Sequence, residues 1–361
     1  QQFFHVSPAP PPPPQELLSE MLPCIGKRTS GSSSCKYISL WQYWSTAGIR
    51  NSPSAGFTLA LVSPTLGNTD GFFSFLFFLL LLYMMTANAI VTFVIATQRK
   101  LHEPMYVLIG TLTLLCFFFP TLFVPRMVIT FLSGRNEITK EECLLQMFLV
   151  HFCGCFQTSI LLQMAVDRFF AICWPISYHN IVNLRNSIIF TALLAFRNTL
   201  TIVVKVGLFI PLTFCHTDVM YHCLCEHTSV VKLACGNVAR TYIAGVVAFS
   251  LTTSDCVLIS ATYAIIFIVI FWSPSGESRQ KAIHTCGTHL IAICVGYLSV
   301  VCAFVGYRVN TIPPDVRVLL TLAYLLIPSS CNPVISGIRT KEIKVHVVKL
   351  LKLNKIESEK T

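Results

Sequence analysis

The sequence predicts an all-α membrane protein, a bundle of seven transmembrane helices followed by a short amphipathic helix on the cytoplasmic side. Three observations carry that expectation. Only 12% of the 361 residues are charged while 54% are apolar or aromatic, about half the charge that a soluble domain carries. The apolar residues gather in blocks at 72–97, 106–132, 144–172, 187–212, 242–272, 283–307 and 316–338, each bounded by charge, Pro or Asn. Every block is long enough to cross about 30 Å of hydrocarbon with tilt. A water-soluble enzyme does not fit this pattern. The net charge of +10 does not mark nucleic-acid binding either, because Lys and Arg are scattered between the blocks and form no basic stripe.

In chain order, residues 1–70 come first and lack a sustained apolar period. They hold a proline run from Pro10 to Pro14 and a Gly/Ser patch from Ser30 to Ser34. Proline runs favour extended backbone and build no core, so this segment is expected to be a disordered extracellular tail, or an extension from a gene model. It lacks the charged, apolar and cleavage regions of a signal peptide. The seven-span domain covers 71–339. With the carboxyl end inside, thirteen Lys and Arg fall in inner segments, among them Arg99, Lys100, Arg168 and Arg185, against seven outside, among them Arg126, Lys140 and Arg308. That bias places the amino terminus outside the cell. The tail, 340–361, puts Ile343, Val347, Leu350 and Leu351 on one helical face with lysines on the remainder, a pattern suited to an anionic inner leaflet.

Span three supplies a ruler. Cys143 and the Asp167–Arg168 pair are 24 positions apart, about 36 Å of helix, so one end faces the oxidising exterior and the other the cytoplasm. Cys215, Cys223, Cys225 and Cys235 in the outer loop between spans four and five are possible partners for Cys143, and five cysteines leave one over. A Cys215–Cys235 bridge would close a short loop, contributing about 3 kcal/mol in a chain-entropy estimate. A Cys143–Cys225 bridge would fix the loop over the bundle. His216, His222, Cys223, Cys225 and His227 also crowd this loop with soft-metal donors, but oxidised cysteines leave no metal site expected there.

Four motifs then fall in order: LHEPMY after span one, MAVDRFFAIC closing span three, KAIHTCGTHL entering span six and NPVISGIRTKEIK closing span seven. Together they resemble the olfactory receptor family of rhodopsin-like G-protein-coupled receptors. The loop FCHTDVMYHCLCEHTSVVKLACGN is most similar to the class I, fish-like branch, family 52. The resemblance implies a multi-pass plasma-membrane receptor that binds a small-molecule odorant and activates a heterotrimeric G protein of the olfactory stimulatory type, with no enzymatic activity and no cofactor. In the family, the residue matching Arg168 is held by its neighbouring acid, here Asp167, until the bundle opens. Tyr263, His289, Asn332 and Pro333 match further activation positions.

For ligand binding the resemblance points to His151, Thr228, Tyr297, Phe304 and Arg308. A guanidinium offers a bidentate match to carboxylate, so aliphatic acids are the expected class. Two other readings remain: a related receptor for a metabolite acid outside the nose, and a non-signalling remnant of a decayed gene. The sequence also departs from the family. Cys116 replaces an Asp in span two, Ser336 replaces the Tyr of NPxxY, Phe169 follows Arg168, and no Asn-x-Ser/Thr acceptor occurs. Arg197 and Lys205 lie inside span four, where each costs at least about 2.5 kcal/mol at the bilayer centre, so both should face the bundle or snorkel. Asp255 in span five would mark an ion pathway if the chain were a transporter.

Overall fold

The computed structural model describes residues 58–62, 70–133, 135–214, 219–220, 224–272, 276–309 and 312–358. Seven long helices run over Asp70–Thr97, Pro104–Ser133, Lys140–Cys173, Leu184–Gly207, Ala239–Trp272, Gly276–Arg308 and Pro314–Arg339. Six are long and apolar enough to cross a membrane. In the seventh the apolar stretch among the described residues is shorter, Leu319–Ile335, and contains two internal prolines, Pro328 and Pro333.

Local chemistry sets the helix ends. Span three starts at a capping box: the Thr139 hydroxyl accepts from the Glu142 amide and the Glu142 carboxylate accepts from the Thr139 amide. Span four starts at Asn183, whose side chain accepts from the Asn186 amide. It stops at Gly207, short of the 212 expected from the apolar block, because Pro211 disfavours helix in the residues before it and the chain tightens into turns.

Span three is central and packs against spans two, four, five and six, while spans six and seven pair, as do spans one and two. Large apolar side chains remain exposed on the outer faces, such as Leu193, Phe196 and Leu200 on span four and Ile268 and Phe271 on span five. Such belts are stable only against lipid. Thr58–Val62 forms a strand, β1, inside the segment expected to be disordered. It pairs antiparallel with β2 (Arg135–Thr139), which precedes span three, and parallel with β3 (Val219–Met220) of the loop after span four. The final helix, Lys341–Ser358, packs on spans one and seven. Ile343 is fully buried, and Val347 and Leu350 lean on the same core.

Candidate functional site

A cavity of about 450 Å3 lies at the Cys143 end of the bundle, between spans three to seven and the loop. The loop is held over it by the Cys143–Cys225 disulfide, Cα–Cα 5.4 Å, and by the Cys225 amide donating to Gln146 Oε1 at 2.9 Å. Cys235 is also disulfide-bonded. Its expected partner Cys215 lies outside the described residues, as do His216, His222 and Cys223. Glu226 caps the short loop helix His227–Val231 by accepting from the Ser229 amide at 3.0 Å, which delivers His227 and Thr228 to the cavity wall.

His227 fits there because Gly245 of span five has no side chain; a Cβ would lie 2.9 Å from its Cε1. Its ring meets Phe209 and His151 edge-on, at 5.2 and 6.3 Å between centroids. Burial, and then the charge of Lys205, pushes the His227 imidazole down to about 3, so it is neutral at pH 7. Burial pushes the Glu226 carboxyl upward, opposed by the amides of Thr228 and Ser229.

Apolar side chains make most of the remaining wall, among them Ile202, Leu224, Ala248, Val300 and Ala303. Across the cavity the Tyr324 phenol seats directly on Gly154 of span three. Of the residues expected from sequence, His151 and Thr228 line the cavity. Tyr297 does not: it packs against the core cluster of Ile160, Leu161 and Met164, deeper in the bundle. The side chains of Phe304 and Arg308 lie outside the described residues. The wall also contains Lys205, 5% exposed. From sequence it was expected to face the bundle or snorkel, and it had no assigned role.

A polar clip lies about one helical turn below the cavity wall. The Arg197 guanidinium donates to both Asp255 oxygens, at 3.0 and 2.8 Å, and to Ser159 Oγ at 2.8 Å, while Asn198 donates to Ser159 Oγ at 3.0 Å. Ser159 lies four residues past Cys155 and Asp255 three past Thr252, two residues of the cavity wall. The clip therefore joins spans three, four and five. Asp255, considered above as an ion-pathway residue, is occupied by Arg197.

At the opposite end, Arg168 donates to Asp167 at 2.8 and 3.0 Å. The other Asp167 oxygen accepts from the Tyr178 hydroxyl at 3.0 Å. Tyr178 sits on a one-turn helix, Tyr178–Ile181, after span three. Sequence reasoning missed it; the Asp-to-Tyr spacing of eleven residues carries no periodic signal. Tyr263 and His289 are buried nearby, and Tyr263 Oη and His289 Nδ1 lack hydrogen-bond partners among the described residues. Asn332 donates to Cys116 Sγ at 3.2 Å, and Pro333 follows it inside span seven.

The family described as olfactory receptor matches residues 76–354. Over 268 residues the chain is 34% identical to olfactory receptor 52J3 of Homo sapiens, covering 74% of this chain and 86% of that protein. It is 36% identical to human olfactory receptor 52D1 over 279 residues, covering 76% and 87%. Against olfactory receptor 51E2 of Mus musculus it is 32% identical over 292 residues, covering 80% and 91%.

Proposed function

The chain belongs to the olfactory receptor family of odorant-sensing G-protein-coupled receptors, and on that premise we propose that it binds small aliphatic carboxylic acids and activates a stimulatory, cyclic-AMP-raising G protein. The observation that carries the reading is the apolar cavity of about 450 Å3 beneath a disulfide-held loop. Its size and its few polar groups suit a small, mostly apolar ligand. His151 and Thr228 form part of the wall, and Arg308, at the end of span six, supplies a guanidinium for the carboxylate. Arg168, held by Asp167 and Tyr178, is the switch that meets the G protein, with Tyr263 and His289 near it and Asn332 and Pro333 as further activation positions along span seven.

The amino terminus is extracellular in this reading. Its support is the Lys/Arg bias and the pairing of β1 with both loops at the Cys143 end. The tail helix lies on the inner leaflet, its apolar face docked and its lysines toward anionic lipid. The reading is tested by screening C2 to C10 acids, alcohols and aldehydes for cyclic AMP responses in cells that display the receptor. Acids are expected to activate wild type and to lose potency in Arg308→Ala. An acid response undiminished in that variant removes Arg308 from the site, and silence toward the whole panel removes the ligand class.

A further inference from the structure

We infer that Lys205 forms an anion subsite inside the cavity and receives the carboxylate of a small monocarboxylic acid. The inference rests on the odorant reading above and deepens it. Lys205 is 5% exposed and lines the cavity. Among the described residues its ammonium makes no hydrogen bond and no ion pair. An ammonium taken from water costs several kcal/mol unless a counter-charge meets it. Among the described residues two other cations of the spans are paired, Arg197 with Asp255 and Arg168 with Asp167. Lys205 makes no such ion pair among the described residues, and it lines the cavity.

The neighbouring groups narrow the ligand. Glu226 acts on Lys205 only through space, and its carboxylate is engaged by the Ser229 amide at the start of the loop helix. The Nε2 atom of His151 is buried without a partner among the described residues; the His227 ring already donates to the Thr241 backbone. A neutral imidazole in the Nε2–H tautomer donates one hydrogen bond to the same carboxylate. With Lys232 the wall carries two cations against the one carboxylate of Glu226, an excess of one positive charge that matches a monocarboxylate and leaves a dianion or a phosphate uncompensated. The alkyl chain then runs along Ile202, Leu224, Val300 and Ala303.

The test uses the full chain in lipid nanodiscs, so that binding is read without signalling. Thermal-shift titrations compare straight-chain C2 to C10 acids with the alcohols of the same length, on wild type, Lys205→Met, Lys205→Gln and Lys205→Arg. Acids are expected to stabilise wild type, and either uncharged variant should raise the acid midpoint about tenfold or more while leaving the alcohol midpoint unchanged. Lys205→Arg, whose head group reaches further into the cavity, should keep acid binding and shift the optimum toward shorter chains, which a packing role would not do. Acid midpoints in Lys205→Met or Lys205→Gln equal to wild type overturn the subsite, as does an unshifted optimum in Lys205→Arg. If Arg308→Ala loses acid binding and the Lys205 variants keep it, the acid reading stands and the Lys205 subsite falls. If wild type binds alcohols but no acid, the subsite falls and odorant binding survives; if it binds neither, both fall.

Discussion

Gly154 lets the phenol of Tyr324 seat on the backbone of span three, and that one missing side chain shapes the cavity. A methyl group there would overlap the phenol oxygen, and overpacking of this kind costs about 1–3 kcal/mol. Gly154→Ala should therefore weaken ligand-induced stabilisation, and Tyr324→Phe, which removes the clashing atom, should restore part of it; a Gly154→Ala protein that binds like wild type contradicts the packing. His227 supplies a pH signature. Its folded value of about 3 lies below the ordinary histidine value, so in the interval between them the unfolded chain takes up a proton that the folded chain refuses. Its contribution is complete above about pH 6.5 and is lost as pH falls toward 3. Glu226, shifted upward, works in the opposite sense, so the comparison is with His227→Gln. On moving from neutral pH to about pH 5, wild type should lose about 2 kcal/mol more than the variant, read as the change in the difference between their unfolding midpoints. At this scale the sequence was partly legible. His151 and Thr228 were placed by the family resemblance, and both line the cavity. Lys205 could be expected only to face the bundle or snorkel, because its place in the cavity wall depends on how spans three, four and five meet.

The helices themselves were legible because each is a long apolar run, and even the missed end of span four had its cause in view at Pro211. The small strands were not, since β1 is defined by partners more than seventy residues away, Arg135–Thr139 and Val219–Met220. Nor was the clip between spans three, four and five. Arg197 and Asp255 are 58 residues apart, and only the packing of the two helices brings a bidentate fork onto a carboxylate that is 1% exposed. Removing one partner of such a pair leaves a buried charge, at a cost of about 3–5 kcal/mol, whereas replacing both with apolar groups is often close to neutral. Asp255→Ala should accordingly reduce surface delivery sharply, while Arg197→Leu combined with Asp255→Leu should recover most of it in epitope labelling of intact cells. If the double variant is delivered no better than the single one, the clip does more than neutralise charge.

Across the whole molecule, the cavity and the Arg168 lock sit at opposite ends of span three, and ligand binding reaches the lock only if the bundle has two arrangements that both ends bias. In the described arrangement Asp167 is satisfied by Arg168 on one oxygen and by Tyr178 on the other, which the proposed function makes the resting state. Tyr178→Phe deletes a hydrogen bond to a charged acceptor, worth about 1.5 kcal/mol or more, and so should move the resting-to-active ratio about tenfold toward the active side. While the active state is rare, basal signalling should rise by that factor, read as cyclic AMP if the proposed coupling holds. Because apparent affinity is set by the fraction of receptor that is binding-competent, the odorant midpoint should fall by a similar factor although Tyr178 is far from the cavity. Both changes must appear together, since linkage makes the coupling reciprocal. A rise in basal signal with an unmoved midpoint would show that Tyr178 restrains only the contact with the G protein. No change in either would mean that Asp167 and Arg168 hold each other without it.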